Sequence, residues 1–152
     1  MPKFKSFVFD QNIFIEYSKI LRNSSNTLAN KMHFSSVVLY ELAATTVSAN
    51  DLGLFEKWRK IHDKENTLIT PDKNDWWETA KLIRRLRFGD KSASHGLTPK
   101  LSHAHQLQND ALIARTATKA KCYVVTQDTV DFGQFLPFMS KLEIVSGEEF
   151  FG

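Results

Sequence analysis

The sequence has little that could staple or anchor it. It holds one cysteine, Cys122, in 152 residues, which excludes an internal disulfide framework and any Cys-based zinc site. No apolar stretch approaches the roughly 20 residues that a membrane-spanning helix needs. The start of the chain does not read as a secretory leader either: Lys3 and Lys5 precede only a short apolar run, which Asp10 closes. There is no internal repeat and no low-complexity tract. These absences predict a cytoplasmic protein in a reducing compartment, with no membrane partner.

What is present fits one globular domain spanning 1–152. Hydrophobic residues make up 42% and charged residues 24%, which is ordinary for a globular chain and enough for one substantial core. Phenylalanine is over-used, with 12 copies, so a core or interface rich in rings is expected. The net charge is only +3, but it is unevenly spread. Lys81, Arg84, Arg85, Arg87, Lys91 and Lys100 face a single acid, Asp90, between positions 81 and 100.

Strand-like and helix-like stretches alternate. FKSFVF (4–9) reads as a first strand, and a helix is expected from Gln11 to Leu21 on the spacing of Ile13, Phe14, Tyr17 and Leu21. A second strand is expected near His33 to Ser36, with Ser36 as the N-cap of a helix through VVLYELAATTVSA. A helical stripe runs from Leu52 to His62. NTLITPD then gives a short strand, with Asp72 starting a long basic helix. Gly89 to Pro99 reads as a surface loop. A helix follows from Gln106 to Lys119, with Asn109 as a cap, then the strand KCYVVTQD, a short turn over DFGQFLPFM and a last strand, KLEIV. Strands alternating with helices predict right-handed βαβ units and a parallel sheet. Such sheets bind ligands beyond the carboxyl ends of their strands.

Four acids stand where that edge would be. Asp10 and Asp128 each follow an apolar run, while Glu41 and Asp110 each lie beside the buried stripe of a helix. A strand-end cap or a turn would explain any one of them; together they point to a site. FVFDQN, SVVLYEL, NDALIA and VVTQD, in that order and spacing, resemble the four motifs of the PIN domain family. The small size is similar to that of VapC-type toxin ribonucleases. The resemblance spans nearly the whole chain and implies a three-layer α/β/α domain, with a central mainly parallel sheet of about five strands.

It also implies the site. The family's acids fall on Asp10, Glu41, Asp110 and Asp128, and its supporting polar residues on Asn12 and Thr126. Asp131 is an alternative for the fourth acid. Two carboxylates about 4 Å apart repel by roughly 1 kcal/mol in water and about 4 kcal/mol at an effective dielectric near 20. A hard divalent cation relieves that repulsion. The expectation is Mg²⁺ or Mn²⁺ held by Asp10, Asp110 and Asp128, with Glu41 binding through water or orienting the nucleophile. The reaction implied is phosphodiester hydrolysis by metal-activated water, by an endoribonuclease that is the toxin of a type II toxin–antitoxin pair.

Implied partners are RNA, a small antitoxin and a second copy in a homodimer. Lys81, Arg84, Arg85, Arg87 and Lys91 are the candidate RNA contacts, since acids alone would repel RNA; a solvated helix face is the plainer reading. His103 and His105 form an H-x-H pair near the Asp110 helix and are secondary candidates for substrate contact. Trp76 and Trp77 are candidates for core edge, partner contact or base stacking. One position departs from the family. Gln11 stands where a small hydroxyl residue is usual, the one hint toward a catalytically silent binding module. A PIN nuclease acting on DNA or in RNA processing, without an antitoxin, is the other alternative.

Overall fold

The computed structural model describes residues 2–23, 31–89 and 102–152. Five strands form one sheet: β1 (Ser6–Phe9), β2 (Met32–Ser35), β3 (Leu68–Ile69), β4 (Cys122–Thr126) and β5 (Ile144–Ser146). Their order is β3-β2-β1-β4-β5, and every pairing is parallel. The chain lays β1, β2 and β3 outward to one side, then returns to place β4 against the free edge of β1. The sheet therefore reverses direction between β1 and β4, the position where parallel sheets open a crevice at their carboxyl edge.

Side-chain alternation splits the core in two. Phe7, Phe9 and Val125 point to one face and meet Ile13, Tyr17, Phe150 and Phe151. Val8, Phe34 and Val124 point to the other, where Leu42, Leu82 and Leu112 cover them. On the first face lie α1 (Gln11–Glu16) and α8 (Gly147–Phe151). On the second lie α3 (Ser36–Thr45), α5 (Lys73–Phe88) and α6 (Ser102–Lys119). This is the three-layer α/β/α arrangement. Full burial of a Phe such as Phe9 or Phe34 stabilises by about 1.5–3 kcal/mol, so the abundance of Phe is largely spent on the two sheet faces. Burial also pushes the Cys122 thiol up to about 12, leaving it unreactive.

Several expected boundaries shift, and the helix expected through VVLYELAATTVSA already ends at Thr45. The helix expected over 11–21 is two, α1 and α2 (Ser18–Asn23), because Tyr17 leaves helical geometry and stacks on Phe151 at 4.4 Å. The N-cap of α3 is Ser35, not Ser36: the strand ends one residue earlier, and the Ser35 hydroxyl accepts from the backbone N–H groups of Val37 and Val38. The helix α4 runs Ala49–Lys64, longer than its apolar stripe. Finally, α6 begins at Ser102, so Asn109 lies within the helix and is no cap. Asp72 does cap α5, in a reciprocal box with Asp75. A short α7 (Thr129–Gly133) follows β4. Of the loop expected over Gly89 to Pro99, Gly89 ends α5 with φ +66; the rest, with Lys91, lies outside the described residues.

Candidate active site

Asp10 is the first residue past β1, and it caps α1. Its Oδ1 accepts from the Gln11 backbone N–H at 2.8 Å, and its Oδ2 accepts from the Thr126 hydroxyl at 2.8 Å. It is only 5% exposed. Thr126, the last residue of β4, is fully buried, and its Oγ1 also accepts from the Asp128 backbone N–H at 3.0 Å. One hydroxyl thus joins the ends of the two strands that flank the reversal.

Asn12 closes the same link from α1. Its Nδ2 donates to Asp128 Oδ2 at 3.0 Å, and its Oδ1 accepts from the Gln127 backbone N–H at 3.2 Å. Asp128 itself is exposed and makes no side-chain cap bond to α7, so its carboxylate is left for the crevice.

The other two acids arrive from the opposite face of the sheet. Glu41 comes from the second turn of α3 and Asp110 from the middle of α6. Both are half-buried. Asn109 Nδ2 donates to Glu41 Oε1 at 2.9 Å. Sequence reasoning had made Asn109 a cap and missed this tie. The available signal was an amide residue in a helical stretch, where Asn is a poor helix former.

Electrostatics shows that the acids converge. Asp110 is pushed up to about 7, first by burial, then by the charges of Asp10, Glu41, Asp128 and Asp131 in that order. Burial raises Asp10 as well; its bonds from Thr126 and Gln11 oppose that, and the Asp128 charge adds to it. Glu41 is raised by burial and by Asp10, against the bond from Asn109. Among the described residues, no Lys or Arg pairs with Asp10, Glu41, Asp110 or Asp128. Asp131 faces the same group from the first turn of α7, but its charge acts on Asp110 less than that of Asp128.

The donor set is all oxygen and excess negative charge, which fits a hard divalent cation. Among the described residues no three His, Cys, Asp or Glu side chains enclose a common ion position by themselves. His105 is exposed on α6, one turn before Asn109; the side chain of His103 lies outside the described residues.

The basic residues lie along α5, which pairs antiparallel with α6: its first turn is bridged to the last turn of α6 through Asp72, Asp75, Arg115 and Lys119. Lys81 pairs with Glu78 at 2.7 Å, and the Arg85 guanidinium sits over the Phe138 ring at 4.8 Å. Lys81, Arg85 and Arg115 line a cleft of about 340 Å³. Arg84 is exposed, and Arg87 stacks on Phe88. Trp76 and Trp77 are both exposed, 49% and 64%. They follow Asp75, whose carboxylate pairs with Lys119 in the last turn of α6.

The sequence pattern of the PIN domain family matches residues 6–134, a span that contains all four acids. The chain belongs to the PIN domain family. PIN domains are nucleases that generally use divalent metal ions. No curated protein matches this one in sequence. Solved structures do match in fold. DNA-bound VapBC from Salmonella typhimurium is 18% identical, with a TM-score of 0.58 over 93% of this chain and 97% of that one. FitAcB from Neisseria gonorrhoeae is 15% identical, with a TM-score of 0.55 over 91% and 95%. VapBC-5 from Mycobacterium tuberculosis, a member of the VapBC family of toxin-antitoxin systems, is 18% identical, with a TM-score of 0.52 over 93% and 98%. Likeness at such identities is likeness of fold. Among the described residues of this PIN domain, no helix is long and apolar enough to cross a membrane.

Proposed function

We propose that this PIN domain is a metal-dependent endoribonuclease, the cytoplasmic toxin of a type II toxin–antitoxin pair, working as a homodimer. The observation that carries the nuclease reading is Asp110, lifted to about 7 by burial and by neighbouring acids with which no Lys or Arg among the described residues pairs. Mg²⁺ or Mn²⁺ would be held by Asp10, Asp110 and Asp128. Bound there, the ion would offset the carboxylates' repulsion, polarise the scissile phosphate and lower the pKa of a water.

The chain's own residues do the positioning. Thr126 and the Gln11 N–H keep Asp10 turned into the crevice, and Asn12 holds Asp128 beside it. Glu41, with Oε1 held by Asn109, has Oε2 left to accept a hydrogen bond from the attacking water and line it up on phosphorus. Lys81, Arg84, Arg85 and Arg87, with Lys91 beyond, would take RNA phosphates, since each neutralised phosphate releases counterions.

The antitoxin reading is supported by near full-length correspondence with proteins named as toxin–antitoxin complexes. A groove of about 370 Å³ supports it too. Phe14, Leu21, Leu42, Leu54, Phe55 and Trp58 line it, and it opens beside Gln11 and therefore beside Asp10. An apolar antitoxin helix lying there would place its end over the acids.

The test is cleavage of a structured RNA, beside single-stranded and duplex DNA, by purified protein with Mg²⁺ or Mn²⁺. An EDTA control and an Asp10→Asn variant accompany it. Metal-dependent cutting of RNA alone, lost in the variant, is the expected result. Cutting of DNA instead would replace the substrate, and equal cutting by both proteins would overturn the site.

A further inference from the structure

We propose that Asn109 is a positioning residue, whose amide aims the Glu41 carboxylate into the acid group, and that both cation binding and turnover depend on that aim. The inference rests on the nuclease reading above and adds a residue to it.

Asn109 lies in the third turn of an 18-residue helix, where Asn is a poorer helix former than Ala. It is half-buried and spends its amide on a residue 68 positions away, Glu41 Oε1 at 2.9 Å. Among the described residues that is the one side-chain bond Glu41 makes. A glutamate side chain left free gives up considerable rotamer entropy when it is held in one place. A fixed donor lowers that cost before substrate arrives.

The kind of donor matters as much as its place. An amide orients a carboxylate without supplying a counter-charge of its own. A Lys or Arg at position 109 would neutralise Glu41. Consecutive helical residues point about 100° apart. Positions 109 and 110 therefore deliver different groups from one turn of α6: an amide to Glu41, and a carboxylate among the acids. Partners of this outer kind, which orient a group rather than meet the ion, are commonly worth 10–100-fold in affinity or activity.

The test compares Asn109→Leu, which keeps the shape and removes the donor, with Asn109→Gln, which keeps the donor. Each is made alone and in a Glu41→Gln background. RNA cleavage, Mn²⁺ binding by calorimetry and thermal unfolding are measured on each. In Asn109→Leu, kcat should fall on the order of 10-fold with KM little changed, Mn²⁺ should bind several-fold more weakly, and Tm should stay near wild type. Asn109→Gln should recover part of the loss. In the Glu41→Gln background, Asn109→Leu should cost nothing more. An equal cost with or without Glu41, or a loss that merely follows Tm, overturns the proposal. Cleavage that Asp10→Asn abolishes but Asn109→Leu leaves intact overturns it while sparing the nuclease reading. If wild type cuts no RNA, that reading fails by itself. Mn²⁺ binding then decides on Asn109: weakening that requires Glu41 supports the proposal, and equal binding ends it.

Discussion

Asp10 and Asp75 are both buried aspartates at a helix N-terminus, 5% and 1% exposed, and their surroundings are opposite. Asp75 receives the Arg115 guanidinium at 2.8 Å, the Lys119 ammonium at 3.2 Å and the Asp72 backbone N–H at 2.9 Å. Its charge is fully answered within the fold. Asp10 receives one hydroxyl and one backbone N–H, and its nearest charged neighbours are acids. Burying a carboxylate is costly unless it is paired. Asp75 meets that condition from this chain alone. Among the described residues Asp10 finds no such partner, and that difference supports the site proposed at its end of the sheet.

Exchanging the two aspartates' fates gives the largest expected contrast. Asp10→Asn should abolish cleavage, by about 100-fold or more, while leaving metal-free Tm equal to or above wild type, since it removes a repelling charge. Asp75→Ala should do the reverse, because it takes the carboxylate from Arg115, leaves Lys119 only Asp72 and breaks the capping box. A loss of about 3–5 kcal/mol is expected, read by denaturant unfolding, with cleavage per folded molecule retained. Stability loss in the first variant, or activity loss without unfolding in the second, would dissolve the distinction.

Gly147→Ala probes the frame that joins the two regimes. A Cβ there would sit 2.6 Å from Gln127 Oε1, 2.6 Å from Tyr17 Cε2 and 2.9 Å from Ile13 Cδ1. Gln127 cannot simply swing away, because its side chain holds the Gly147 N–H at 3.0 Å and Glu16 at 2.7 Å. Overpacking of this kind costs about 1–3 kcal/mol. Since Gln127 precedes Asp128, activity should fall along with Tm. A full-activity variant at lowered Tm would show that the last helix supports the core without supporting the site.

The pH dependence sharpens the comparison further. Asp110 is raised in the folded protein to about 7 from an ordinary 3.8, so between those values the folded state keeps a proton that the unfolded chain has released. Its contribution to stability is present below the unfolded value and is lost as pH rises through about 7. Metal-free Asp110→Asn should therefore gain Tm over wild type between pH 4 and 7, with the gain levelling off above. Mn²⁺ at pH 8 should stabilise wild type more than the variant. A difference that does not change with pH would mean Asp110 is not pressed by its neighbours.

Much of this was legible in the sequence because it is written locally. Asp10 and Asp128 could be placed from apolar runs that stop at an acid, and the parallel sheet from strands alternating with helices. The sheet's order could not, since reversal between β1 and β4 is a long-range packing choice. The break at Tyr17 depends on Phe151, over a hundred residues away, and the bond from Asn109 to Glu41 crosses between two helices. Ser35 rather than Ser36 caps α3 because β2 ends one residue earlier, a shift set by pairing with its neighbours. The basic stripe on α5 was read as one face of like residues. Folding gives its members different company: Lys81 has Glu78 and Arg85 has Phe138.

Those different environments bear on the smallest expected effect. A basic residue already answered within the fold, as Lys119 is by Asp72 and Asp75, releases no counterion on meeting RNA. One that meets a phosphate releases about 0.7 of one for a single strand. In an Asp10→Asn background, which binds without cutting, the slope of log affinity against log salt should therefore shrink by about 0.7 for each contact removed. Arg84→Ala, on the exposed face of α5, should show that change, and so should Arg85→Ala if RNA enters the cleft beside Phe138. Lys119→Ala should leave the slope unchanged. Equal slopes across all three would move the RNA path off α5, and a reduced slope for Lys119→Ala would mean that even the paired end of the molecule gives up its partner to the substrate.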